Sequence, residues 1–314
     1  MHILKSMETS ITAKPFLRWA GKKTQLTKQL IPESFPNYLS EEEFTYVEPF
    51  VGSGAMLFWV AANFPLMKRA IINDLNEDLI NAYRWLSTNP ELIIYLLKDI
   101  EMDYHRLFGN VEAQKEFYLK KREIYNQKEV SLSEMASLFI FLNRTCFNGL
   151  YRVNVKTGNL NVPFGVPGKP TICDTQNLLL VGDLLSRVEI VCGDFWNTVE
   201  MTDPKSFFYI DPPYKPLKET QKALSYTRSD FNDLEQVRLR DFCKELSSKG
   251  HLFMLSNSDV EGGGETMNKN FLESLYGDFK VDRISVRRHI SADPSKRGNI
   301  SELLIKNYHE SPTI

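Results

Sequence analysis

Phe207-Phe208-Tyr209-Ile210-Asp211-Pro212-Pro213-Tyr214 opens as an unbroken apolar and aromatic run of strand length, then stops at a carboxylate, two prolines and a tyrosine. A parallel strand covered on both faces reads this way, and prolines cannot extend its hydrogen-bond ladder. The run predicts a central strand with Asp211 at its carboxyl end, the edge of an open α/β sheet where ligands bind. Pro-Pro fixes two φ angles and removes two donors, so the turn beyond is stiff and offers carbonyls without competing N–H groups.

Similar units lie on either side. Thr45-Tyr46-Val47-Glu48-Pro49-Phe50 reads as a strand broken by Val51-Gly52-Ser53-Gly54, and Ala55 to Phe64 reads as a helix. Ala70-Ile71-Ile72 is a short buried strand ending at Asn73-Asp74, and Leu79 to Leu86 resumes a helix. Leu26, Leu30 and Ile31 mark a helix near the start. Strands return at Val188–Cys192, His251–Leu255, Lys280–Arg288 and Leu303–Asn307. This alternation predicts a Rossmann-like, doubly wound α/β sheet. Between 87 and 185 the pattern changes to helical periodicity up to Leu142, followed by a hairpin-like polar stretch. The sheet domain is therefore expected to be discontinuous, 1–86 with 186–314, around an inserted, mainly helical domain at 87–185 carrying a β-hairpin.

Phe50-Val51-Gly52-Ser53-Gly54 lies between strand and helix, where glycines allow a ligand close to the backbone. Asp74 follows Gly54 by twenty positions, the spacing of an acidic residue that holds ribose hydroxyls. A dinucleotide loop would need a glycine where Phe50 stands, so a nucleoside without pyrophosphate, S-adenosylmethionine, fits better than NAD. Asp194 and Phe195, after the next strand, are placed to accept from an adenine amino group and to stack on the ring. An ordinary Gly-Asp turn is the competing reading. Trp19 and Lys23, four apart, are either ligand-facing or simple amphipathic packing.

The turn at Asp211 suits one chemistry. An adenine amino group is a poor nucleophile because its lone pair is delocalised into the ring. The Asp211 carboxylate and Pro212 carbonyl, gripping both amino hydrogens, would favour a pyramidal nitrogen, while Tyr214 stacks on the base. Transfer of a methyl group then needs only in-line positioning and stabilisation of developing charge.

Composition narrows the classes. The chain has 314 residues, 42% of them hydrophobic, which supports a substantial core. A net charge of −2 means that any nucleic-acid surface must be a local patch. Residues 135–173 contain no Asp or Glu but carry Arg144, Arg152, Lys156 and Lys169, a basic stretch suited to phosphates. Cys146, Cys173, Cys192 and Cys243 form no C-x-x-C pair, which argues against a zinc site or a disulfide framework and predicts a reducing, cytoplasmic setting. No membrane-spanning run is present. No Pro-Cys pair exists, which excludes cytosine-C5 chemistry.

F-L-R-W-A-G-K-K (16–23), V-E-P-F-V-G-S-G-A (47–55), I-N-D-L-N-E-D-L-I (72–80), L-N-R-T-C-F-N-G-L-Y-R-V-N (142–154), N-V-P-F-G (161–165), D-P-P-Y (211–214) and R-R-H-I-S (287–291) together resemble the Dam-type DNA adenine-N6 methyltransferases. The resemblance implies a methyltransferase fold, S-adenosylmethionine as donor without a metal, and a flipped-out adenine in double-stranded DNA, within GATC. It implies that Trp19, Lys23, Asp74 and Asp211 contact the donor. On the DNA side it implies Phe147 as the wedge, Asn148 near the vacated base, Arg152 as a guanine reader and Arg18 at an outer base pair. Expected partners are duplex DNA and a cognate restriction endonuclease encoded nearby, with the enzyme a monomer in solution and no membrane involved. An RNA base methyltransferase and a catalytically silent DNA-binding module on the same fold are the alternatives. A second basic cluster, Arg287, Arg288, Lys296 and Arg297, suits either the DNA backbone or a solvated loop.

Overall fold

A computed structural model describes residues 12–19, 34–165, 167–213, 231–258, 271–287 and 299–309. Its spine is the predicted strand, β4 (Ser206–Ile210), with all five residues buried. Side chains alternate across a strand, so Phe207 and Tyr209 enter one hydrophobic core while Phe208 and Ile210 enter another on the opposite face. Truncating either phenyl would cost about 3–5 kcal/mol in lost burial and cavity formation.

β4 pairs in parallel with β1 (Phe44–Glu48) and β5 (Leu252–Ser258). β1 pairs with β2 (Met67–Asp74), and β2 with β3 (Val188–Cys192), also in parallel. β6 (Lys280–Arg287) and β7 (Asn299–Lys306) close the far side, with β7 antiparallel to both neighbours. The sheet order is β3-β2-β1-β4-β5-β7-β6. The order reverses between β1 and β4, and the carboxyl ends of the five parallel strands share one edge there. That junction is where open α/β sheets bind ligands.

Most of the helices start where a side chain satisfies their first N–H groups. α1 (Ala55–Asn63) follows the glycine loop directly. Asn76 caps α2 (Glu77–Thr88) by accepting from the N–H groups of Asp78 and Leu79. α3 (Pro90–Arg106), α4 (Val111–Gln127) and α5 (Leu132–Thr145) make the helical part of the insertion, and α5 opens with a capping box between Ser131 and Glu134. The insertion is organised around α5, which is buried nearly all round and packs against α2, α3 and α4.

Two features differ from the sequence expectation. The stretch up to 185 holds a further helix, α6 (Thr175–Leu185), capped by Asp174, where only polar hairpin was expected. The hairpin itself forms two isolated antiparallel bridges, Cys146 with Phe164 and Val153 with Leu160, rather than full strands. Its ladder is held by Asn161 N–H to Arg152 O (3.0 Å) and Asn154 N–H to Asn159 O (2.8 Å). α7 (Asp233–Ser248) and the short α8 (Phe271–Leu275) cover the second core. The predicted helix around Leu26–Ile31 lies outside the described residues.

Candidate active site

The junction between β1 and β4 collects the chemistry. Asp211 and Pro212 follow the last residue of β4, and Asp211 is half-buried; Tyr214 lies outside the described residues. Glu48 ends β1, and Asp74 ends β2. Between β1 and α1 the loop turns through Gly52 (φ 48°) and Gly54 (φ 68°), both left-handed, where a side chain would strain the backbone. A Cβ on Gly54 would also stand 2.7 Å from the Tyr83 hydroxyl, and one on Gly52 would stand 3.1 Å from the Trp19 indole. The loop is pinned from below: Gly52 N–H donates to Asp74 Oδ2 (3.1 Å), and Tyr83 Oη–H donates to Gly52 O (3.1 Å). Asp74 Oδ1 accepts from Asn76 N–H (3.0 Å). Burial raises the Asp74 carboxyl above its ordinary range, against the pull of these backbone N–H groups. Asn73 donates to Pro49 O (3.0 Å) and Gly193 O (2.9 Å), tying the tips of three strands together.

Glu48 carries a group not singled out in the sequence. It is 2% exposed and accepts from Tyr46 Oη–H at 2.9 Å. Burial, reinforced by the charges of Asp211 and Asp74, drives its carboxyl well above the usual range, against the Tyr46 and Leu57 hydrogen bonds. The available signal was a carboxylate closing an otherwise apolar strand.

Asp194 and Phe195 sit beyond β3, as their spacing predicts, with a shared partner. Arg238 on α7 grips Asp194 with both guanidinium nitrogens, at 2.6 and 2.7 Å. Burial pushes the Asp194 carboxyl up, but that bidentate bond and Trp196 N–H outweigh it and hold the carboxyl below its ordinary value. The same guanidinium lies 4.7 Å from the Phe195 ring centroid. Phe50 packs on Phe195 at 5.2 Å and meets Phe231 edge-on at 5.9 Å, giving this end of the site an aromatic wall. Phe195 itself is buried, whereas Phe50 is half-exposed. The indole of Trp19 stacks on Tyr151 (5.8 Å, 21° between planes). Lys23 lies outside the described residues.

The basic hairpin lies on the Trp19 side. Arg18 and Asn143 exchange two hydrogen bonds of 2.7 Å, fixing the segment before Trp19 onto α5. Phe147 is 46% exposed, so it does not belong to the core, and Asn148 beside it adopts a left-handed conformation (φ 55°). Arg152 donates from Nε to Asn161 Oδ1 (2.7 Å) and from an η nitrogen to Asn161 O (3.2 Å), so the hairpin holds its guanidinium in place. Arg144, noted in the sequence only as part of a basic stretch, has a buried Nε with no hydrogen-bond partner. Burial and the nearby charge of Arg18 pull its pKa down despite Asp174. Of the second basic cluster, Arg288, Lys296 and Arg297 lie outside the described residues. Among the described residues no three His, Cys, Asp or Glu side chains group as metal ligands, and no helix is long and apolar enough to cross a membrane.

A seven-stranded sheet in this order, with an acidic Asp-Pro-Pro tip beside a glycine loop, defines a methyltransferase fold. The chain belongs to the D12 class N6 adenine-specific DNA methyltransferases, whose family model matches residues 19–290. It is 43% identical to the type II methyltransferase M.MjaIII of Methanocaldococcus jannaschii over 94% of this chain and 99% of that one. It is 36% identical to the type II methyltransferase M1.LlaDCHI of Lactococcus lactis subsp. cremoris, over 96% of this chain and 98% of that one. Against the DNA adenine methylase of Haemophilus influenzae it is 32% identical, with 96% of each chain covered. The protein is thus an enzyme, an adenine-specific DNA methyltransferase.

Proposed function

We propose that the enzyme uses S-adenosyl-L-methionine to methylate N6 of an adenine flipped out of duplex DNA, within GATC. The observation that carries this reading is the position of Asp211 at the β1–β4 junction, beside a glycine loop pinned to Asp74. The cradle fits the donor. Gly52 leaves room that a Cβ would take from Trp19, Asp74 is placed for ribose hydroxyls, and Phe50 and Phe195 form an aromatic wall for an adenine ring. Arg238 holds Asp194 in position at that wall, and Trp19, beside Gly52, and Lys23 are the further donor contacts.

Bound S-adenosylmethionine supplies an electrophilic methyl group and leaves as the thioether. The protein's own work is positional and electrostatic. Asp211 and the Pro212 carbonyl accept the two N6 hydrogens, so the nitrogen lone pair turns toward the donor. As the N–C bond forms, positive charge develops on N6, and the Asp211 carboxylate stabilises it before the surplus proton leaves to water. Tyr214 stacks on the extruded base. No covalent enzyme intermediate is required.

The insertion at 87–185 serves as the target-recognition side, and 1–86 with 186–314 as the catalytic side. Phe147 enters the stack, Asn148 lies beside the vacated base, Arg152 reads guanine, and Arg18 meets an outer base pair. The orphaned Nε of Arg144 and its neighbour Arg18 favour a phosphate at the foot of the hairpin. The relatives named type II methyltransferases support a companion restriction endonuclease. The enzyme acts in the cytoplasm as a monomer.

Incubating the enzyme with labelled S-adenosylmethionine and either DNA or RNA, followed by identification of the nucleoside, tests the reaction. Label is expected in N6-methyladenine of DNA; label confined to RNA refutes the substrate. Isoschizomers that differ in sensitivity to adenine methylation test the target, and full cleavage at GATC sites refutes it. Asp211→Ala should abolish transfer while leaving DNA affinity largely intact, and full turnover by that variant overturns the mechanism.

A further inference from the structure

The hairpin residue that precedes the proposed guanine reader reaches the donor side. Successive side chains of an extended chain point to opposite faces. Arg152 is held against Asn161 within the hairpin, whereas Tyr151 turns inward and is 9% exposed. Its ring stacks on Trp19 and packs against Phe139 at 5.7 Å. Its hydroxyl donates to Asp78 Oδ2 at 3.3 Å, an oxygen that also accepts from Tyr125 at 2.6 Å. Asp78 lies in the first turn of α2, whose cap Asn76 donates to Asp74. Trp19 in turn covers Gly52. One side chain of the hairpin therefore braces both anchors of the glycine loop, the indole above it and the helix start beside Asp74.

We propose that Tyr151 is a positioning residue that couples the two ligands: seating the hairpin on DNA sets the Trp19 wall of the donor site, and the donor in turn steadies the hairpin. The proposal rests on the donor-site reading above. Its physical basis is backbone continuity. Arg152 cannot move into a groove without carrying residue 151, and the ring stacked on Trp19 transmits that shift to the indole. Coupling between binding sites is reciprocal, so DNA tightens donor binding by the same factor as donor tightens DNA binding.

The test uses S-adenosylhomocysteine, which cannot transfer, and a duplex containing a site that the enzyme methylates. The Kd for S-adenosylhomocysteine is measured by calorimetry with and without the duplex, for wild type, Tyr151→Phe and Tyr151→Leu. In wild type the duplex is expected to tighten binding at least about fivefold, the low end of common couplings. Tyr151→Phe keeps the stack and should keep that ratio within about twofold, whereas Tyr151→Leu should bring it near unity while each ligand still binds alone. A merely structural tyrosine would weaken both constants and leave the ratio unchanged, and that result overturns the proposal. So does a ratio of one in wild type, whatever the variants do. Failure of wild type to bind S-adenosylhomocysteine at all refutes the donor-site reading instead, and this proposal with it.

Discussion

Glu48 offers a sharp test of the electrostatics at the strand tips. Burial, with the charges of Asp211 and Asp74 adding to it, holds its carboxyl's pKa well above the ordinary value in the folded enzyme, whereas in the unfolded chain it ionises near pH ~4.3. The folded state therefore binds more protons than the unfolded state in the interval between the two pKa values. Its contribution is fully present below the unfolded pKa and is lost progressively as pH rises toward the raised folded pKa. Between the unfolded and folded pKa values the loss runs at about 1.4 kcal/mol per pH unit. Glu48→Gln keeps the shape and removes the titration. Any altered hydrogen bond to Tyr46 gives an offset that does not vary with pH, so the slope carries the information. Urea unfolding followed through Trp19, Trp59, Trp85 and Trp196 should show the variant gaining on wild type as pH rises. Parallel stability curves, or a variant that loses ground at high pH, would refute a raised Glu48 pKa.

Two further perturbations address the DNA side. Gly165→Ala places a Cβ 2.1 Å from the Phe147 Cα, a backbone clash at the base of the hairpin, and should weaken DNA binding at least tenfold while S-adenosylhomocysteine still binds; unaltered DNA affinity by gel shift would contradict the packing. Arg144→Met keeps most of the aliphatic volume and removes a buried, unpartnered guanidinium nitrogen, so the melting temperature should hold or rise. DNA affinity should fall, with the slope of log K against log salt shallower by about 1, and an unchanged slope would remove the phosphate assignment.

How legible the fold was depended on period. The β4 run, the strand at 70–74 and the glycine loop declare themselves locally, because a buried parallel strand has an apolar signature that no solvent-facing element shares; β3, at the sheet edge and only partly buried, shows instead as a β-branched run. α6 was less visible: Thr175 to Leu185 follows a polar, proline-containing stretch, and its helical identity depends on the Asp174 cap and on packing against α2. The hairpin was overstated for the opposite reason. Asn, Gly and Thr dominate residues 154–159, and such a sequence supports a turn with two bridges rather than long strands. Among site residues, Asp211, Asp74 and the glycines could be named because a strand tip has a sequence address. Glu48, Arg238 and Tyr151 could not, since their roles depend on what lies across the fold: two neighbouring carboxylates, an aspartate 44 positions earlier, and an indole 132 positions earlier.

The placement of the insertion follows from the same geometry. It leaves the sheet after α2 and returns before β3, so the hairpin lies against the helix that starts three residues after β2 ends. Asp74, Asn76 and Asp78 occupy that short span and face, respectively, the glycine loop, the helix cap and the hairpin tyrosine. A recognition segment grafted onto any other crossover of this sheet would have to cover the junction from farther away, with a long unsupported chain to order against it. Here the glycine loop and the hairpin, the proposed donor wall and base-reading loop, both rest on the start of α2. Under the proposed mechanism, the in-line alignment that methyl transfer demands can then be set by side-chain contacts a few ångströms long.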